Sequence, residues 1–196
     1  MPHSQIIKAA DTGDILLFSG DRIGCLIQRF ITRSRFGNFL RRVLDHVGIL
    51  LRYQNGKLFL LEATSTEGVE ISEWNTASNY SKIYEQIVYR KLFFKRTSQT
   101  VTKLEQFLKS VRGRKYDLDP LKLFKKYSSI DSVRNIKKDK GYFCSELVAS
   151  AYKVLEILPE HICSSQYWPG SFSAEESLQL RNGAHFGNEC LIDFSS

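Results

Sequence analysis

Apolar positions along this chain follow two spacings, one suited to strands and one to helices. Behind Gly13, the run from Asp14 to Phe18 is short and apolar, which predicts a first strand. Ile23, Leu26, Ile27, Phe30 and Ile31 then recur at i, i+3, i+4, i+7 and i+8, the stripe of an amphipathic helix. Val47 to Tyr53 and Leu58 to Glu62 flank Asn55-Gly56, a strong short-range hairpin signal. Glu85 to Phe94 carries Ile87, Val88, Tyr89, Leu92 and Phe93 and predicts another strand. Val101, Leu104, Leu108 and Val111 return to helical spacing and stop at Gly113. After a basic connector containing Lys125-Lys126 and Lys137-Lys138, Leu147, Val148, Ala151, Tyr152, Leu155 and Leu158 predict a last helix, from Cys144 up to Pro159. The tail from His161 is rich in Ser, Gly and aromatics and reads as mostly irregular. Helices and strands are segregated rather than alternating, so the expected class is α+β.

The chain has 196 residues and shows no repeat and no linker long enough to divide it, so a single domain over 1–196 is expected. Its net charge of +7 favours an anionic partner: phospholipid head groups, nucleic acid or an acidic polymer. No zinc-finger or RNA-recognition signature accompanies that charge, so no specific nucleic-acid partner is expected. Cys25, Cys144, Cys163 and Cys190 form no C-x-x-C pair and no finger spacing, which argues against a structural zinc. Their scatter suits reduced thiols better than a disulfide framework. No apolar leader and no run near the ~20 residues of a membrane span is visible, and the expected location is cytoplasmic.

Cys144 carries the most chemistry. It lies in Gly141-Tyr142-Phe143-Cys144-Ser145-Glu146-Leu147-Val148, at the first turn of the last helix. Unpaired backbone N–H groups and the macrodipole there favour an anion, and so the nucleophilic thiolate. The Cys144 N–H is also a candidate oxyanion donor. A buried cysteine acting as a small hydrophobe is the ordinary alternative. What favours catalysis is His46, which opens the apolar strand Asp45-His46-Val47-Gly48-Ile49-Leu50, together with the nearby carboxylate Glu62. Histidine suits a thiol as base near neutral pH, and Glu62 would orient it. His3, His161 and His185 are weaker candidates, in the terminal tail or in irregular segments.

Strand parity constrains this triad. A strict two-residue turn at Asn55-Gly56 pairs Ile49 with Glu62 and sends His46 to the opposite face. An odd loop or a bulge sets Gly48 opposite Glu62 and brings His46 and Glu62 onto one face. The triad therefore predicts an irregular hairpin, with the Cys144 helix packed across that shared face.

Taken in order, Gly13-Asp14-Ile15-Leu16-Leu17, His46-Val47-Gly48-Ile49, Glu62-Ala63 with Gly68-Val69, Gly113-Arg114-Lys115-Tyr116-Asp117 and Phe143-Cys144-Ser145-Glu146-Leu147-Val148 with Ala151-Tyr152 resemble a family. It is that of the circularly permuted NlpC-like cysteine hydrolases, in the YiiX/YebB-like branch, which includes poxvirus homologues and is related to lecithin–retinol acyltransferase. The resemblance covers roughly residues 11 to 175. It implies a papain-like α+β fold, with an antiparallel sheet packed against the nucleophile helix. It implies Cys144 as nucleophile, His46 as base and Glu62 as orienting residue, with Tyr116 lining the pocket; Tyr142, beside Cys144 in sequence, is a further expected substrate-binding residue, and the thiol chemistry needs no metal or cofactor. The basic segments look longer than that family's pattern.

Three functions remain open at the level of sequence. One is a thiol hydrolase cleaving an amide bond in a small peptide or acyl-amino acid. A second transfers or hydrolyses an acyl group from a lipid ester or thioester, at an anionic membrane surface met by the stretch Arg22 to Arg42. The third is a non-catalytic binding module on the same scaffold.

Overall fold

The structure, a computed structural model, describes residues 1–20, 44–74, 79–117 and 141–194. The amphipathic stripe at Ile23–Ile31, the Arg22–Arg42 segment, Cys25 and the lysine pairs of the connector lie outside the described residues.

The described chain is a mixed α+β structure. In order it runs through α1 (His3–Ala9), β1 (Ile15–Ser19), β2 (His46–Arg52), β3 (Leu58–Thr64), β4 (Gly68–Glu73), β5 (Gln86–Phe93), α2 (Ser98–Val111), α3 (Cys144–Val154) and β6 (His185–Leu191). The strands form one six-stranded sheet, β4-β3-β2-β1-β5-β6. Every neighbouring pair is antiparallel.

Both faces of the sheet are covered, so β1 is buried along its whole length and apolar from Ile15 to Phe18. On one face Leu17, Val47, Ile49, Leu51, Leu61 and Ala63 pack against Leu104 and Leu108 of α2 and against Leu147, Val148 and Tyr152 of α3. On the other, Leu16, Phe18, Leu50, Leu60 and Ile87 pack against Ile6 of α1, Trp74 and Ile192. Each large apolar side chain so buried contributes about 1.5–3 kcal/mol.

Local chemistry sets the element ends. Thr97 caps α2 in a reciprocal box with Thr100. α3 stops at Val154, earlier than its apolar spacing suggests, because Glu156 enters the left-handed region at φ 63°. The tail departs from the expected irregular chain: after short 3-10 turns at Ser164–Gln166 and Pro169–Phe172 it forms β6, and His185 is the first residue of that strand. β6 pairs with β5 through a register shift between Arg90 and Leu92.

Asp14 organises the start of β1. It is fully buried, and its carboxylate accepts from the Asp11 N–H at 2.8 Å, the Leu92 N–H at 2.8 Å and the Tyr89 hydroxyl at 2.7 Å. Lys91 and Arg96 lie at 3.6 and 3.8 Å.

Candidate active site

The β2–β3 hairpin contains the odd loop that parity demands. Tyr53 N–H donates to the Lys57 carbonyl at 3.0 Å, which closes the three residues 54–56 into a loop. Gly56 takes φ +78°, a backbone state that glycine adopts without strain. Arg52 pairs with Leu58 and Ile49 with Leu61, so one further step along this register sets Gly48 opposite Glu62. His46 and Glu62 thereby project from the same face, and His46 Nε2–H donates to Glu62 Oε2 at 2.6 Å.

That face is not the one α3 covers, contrary to the sequence expectation. His46 pairs with Phe18, and their rings lie 5.1 Å apart on the side of the second core. Cys144 belongs to the core on the α3 side. The Cys144 side chain nonetheless hydrogen-bonds His46. The contact is possible because Cys144 is the first residue of α3 and His46 the first of β2, so the two meet where both elements begin. With Nε2 engaged by Glu62, Nδ1 is the ring atom left for the sulfur.

The segment after α2 fixes where α3 begins. Gly113 N–H donates to the Val69 carbonyl and Val69 N–H to the Arg114 carbonyl, both at 2.8 Å, which ties the segment to β4. Tyr142 N–H donates to the Lys115 carbonyl at 3.0 Å and Asp117 N–H to the Tyr142 carbonyl at 3.2 Å. A Cβ at Gly141 would lie 2.4 Å from the Lys115 carbonyl oxygen, so only glycine permits this approach. From the other side, Ser145 Oγ donates to the Tyr167 carbonyl at 2.8 Å. Phe143, the N-cap of α3, contributes no side-chain cap.

Burial and charge act together on His46. Cys144, Glu62 and His46 are 1%, 2% and 6% exposed. Desolvation alone would lower the His46 pKa, but the bonds to Cys144 and Glu62 outweigh it and push the value up to about 10. The ring is held between a sulfur and a carboxylate, and both contacts favour its protonated form.

Of the two tyrosines expected at the substrate, Tyr116 packs against Phe143 and Trp168 beside the start of α3. The Tyr142 ring is buried against Phe107 of α2, with the Arg114 guanidinium 5.7 Å from its centroid. Two further tyrosines border the site without any signal in the sequence. The Tyr80 hydroxyl donates to Glu62 Oε1, and Tyr84 stacks on His46 with centroids 6.0 Å apart and planes at 8°. Asp45, beside His46, accepts from the Gly20 N–H at 3.0 Å and holds the chain leaving β1. A surface depression at β5–β6, lined by residues such as Arg90, Gln179 and Phe186, includes none of the triad. Among the described residues, no group of three or more His, Cys, Asp and Glu side chains is placed to hold a metal. Nor is any described helix long and apolar enough to cross a membrane.

No family model matches the chain. No curated protein matches it. Among solved structures, it is similar to the metalloprotein yiiX from Escherichia coli O157:H7, DUF1105, with a TM-score of 0.47 and 21% identity. The similarity covers 74% of this chain and 65% of that one, so this chain spans just under two thirds of that protein's length.

Proposed function

We propose that this protein is a cysteine hydrolase that cleaves an amide bond, in a peptide or acyl-amino acid, through an acyl-enzyme on Cys144. The observation that carries the reading is the position of His46, hydrogen-bonded to Cys144 on one side and to Glu62 on the other. In this reading His46 has taken the thiol proton, and Cys144 Sγ attacks the substrate carbonyl carbon as the thiolate. The oxyanion accepts from the Cys144 backbone N–H. The imidazolium gives its proton to the amine nitrogen, the C–N bond breaks, and a thioester remains. Neutral His46 then takes a proton from water, whose oxygen attacks the thioester, and the C–S bond breaks to restore the thiolate and imidazolium. Glu62 holds the ring in place throughout and supports its charge. Tyr116, beside Phe143, is assigned to the wall of the acyl site.

The same acyl-enzyme would serve an ester or thioester, and the net charge of +7 favours a substrate presented on an anionic surface. Intact-mass analysis after incubation with a mixed amide, ester and thioester panel tests both readings. A trapped acyl adduct that is lost in Cys144→Ala supports the nucleophile, and its mass names the acyl group. No adduct and no turnover with any member of the panel, from a folded protein, would favour a binding module. Co-sedimentation with anionic vesicles at low salt and not at high salt would support the membrane surface.

A further inference from the structure

Glu62 is a buried carboxylate set between His46 and a second carboxylate. It is 2% exposed, and on β4 its direct cross-strand partner is another carboxylate, Glu70. The groups that face it are His46 from β2, Glu70 from β4 and Tyr80 from the turn at Tyr80–Lys82. Beyond them stand Cys144 and Tyr84 around the His46 ring, and Glu67 near Glu70. Among the described residues, Glu62 receives one donor on each oxygen: His46 Nε2–H on Oε2 and the Tyr80 hydroxyl on Oε1.

We propose that Tyr80 is a positioning residue that clamps Glu62 through Oε1, so that Oε2 stays aimed at His46 and the charged Cys144–His46 pair persists. The proposal rests on the function proposed above. Three observations support the clamp. Tyr80 is anchored by its own packing, with its ring 5.2 Å from Trp74 and 5.8 Å from Phe18. Its hydroxyl lies 3.4 Å from Ser72 Oγ, a second polar neighbour. Burial, followed by the Glu62 charge, raises the Tyr80 pKa, so the phenol keeps its proton and remains a donor over the working pH range. No proton leaves Tyr80 in any step. Its contribution is greatest once His46 has given its Nδ1 proton away: Nε2–H still donates to Oε2, but without the ring's positive charge, and Tyr80 then helps to keep the carboxylate from turning.

The test needs no substrate: the rate of Cys144 alkylation by iodoacetamide is followed against pH by peptide mapping of the full chain. Wild type should react in mildly acidic solution. In Tyr80→Phe the acid-side inflection should move up by roughly one pH unit, a roughly ten-fold slower reaction below it. Glu62→Gln should move it the same way, and Tyr80→Phe should add nothing in the Glu62→Gln background, because a residue acting through another shows no independent effect. Profiles that superimpose for wild type and Tyr80→Phe, or effects that simply add, would overturn the clamp while leaving the triad standing. A wild type with no reactive Cys144 in acid would instead sink the triad itself. Should Tyr80→Phe fail to fold, 3-fluorotyrosine at position 80 keeps the ring and strengthens the donor, and the inflection should move down; an unmoved inflection there counts against the proposal.

Discussion

Cys144 is nearly inaccessible, whereas Cys163 and Cys190 are partly exposed, so exposure and ionisation make opposite predictions about which thiol reacts first. An ordinary thiol with pKa ~8.5 holds on the order of 0.1% thiolate at pH 5.5. Pairing with a charged His46 should therefore outweigh exposure. At low-dose iodoacetamide and mildly acidic pH, peptide mapping should find Cys144 labelled before Cys25, Cys163 and Cys190; another cysteine labelled first would refute the pairing. On any substrate that the acyl panel reveals, His46→Ala should lower kcat/KM by roughly 10⁶-fold and Glu62→Gln by roughly 10³–10⁴-fold. Equal losses would mean that Glu62 is more than an orienting group. His46 also links stability to pH. Its folded pKa of about 10 lies above the ordinary 6.5, so its contribution is fully present below pH 6.5 and is lost as pH rises through about 10. Thermal melts from pH 6 to 10.5 should show wild type losing more stability than His46→Ala, and parallel curves would contradict that shift.

At the scale of elements, hairpin parity has a sharp consequence. Removing one residue from the 54–56 loop, for example ΔGln54, should turn β3 over relative to β2 or force a compensating bulge. Either outcome separates Glu62 from His46. Alkylation of Cys144 in acid should fall and stability with it, whereas a two-residue change of loop length should preserve both; indifference to a single deletion would show that the register does not hold the pair together. The elements legible in the sequence were those with a repeated apolar rhythm: β1, the β2–β3 hairpin, β5, α2 and α3. β4 offers only Val69 and Ile71 against Glu70, Ser72 and Glu73. β6 includes Gly187 and Asn188, and no residue along it is fully buried, as befits an edge strand without an apolar stripe. α1 buries Ile6 alone of its seven residues. Cys144, His46 and Glu62 could be chosen from side-chain chemistry and parity. Parity says which residues share a face, but not which face the helix covers, and there the sequence expectation failed. Tyr80 stands 18 residues from Glu62 and meets it only through the folding of β4 and the turn that follows. No local pattern announces it.

For the molecule as a whole, Asp14 joins the loop before β1 to the end of β5. Asp14→Ala would strand two buried donors, the Leu92 N–H and the Tyr89 hydroxyl, and the part-buried Asp11 N–H, and would take from Lys91 and Arg96 a carboxylate neighbour, Arg96 keeping Asp11 at 3.4 Å. Chemical denaturation should show a loss of about 3–5 kcal/mol, the scale for breaking one side of a buried charged network. A loss below about 1 kcal/mol would show that water replaces the carboxylate without difficulty. The cluster of Cys144, His46 and Glu62 joins the two layers in another way. Its sulfur comes from the core beneath α3 and its imidazole and carboxylate from the core beneath α1 and Trp74, so neither layer alone brings together the proposed reactive centre. On the proposed function, reactivity at Cys144 should thus gauge native assembly. A partly folded chain that had formed only one layer would carry an ordinary, slow thiol, and would be chemically silent until the second layer closed over the sheet.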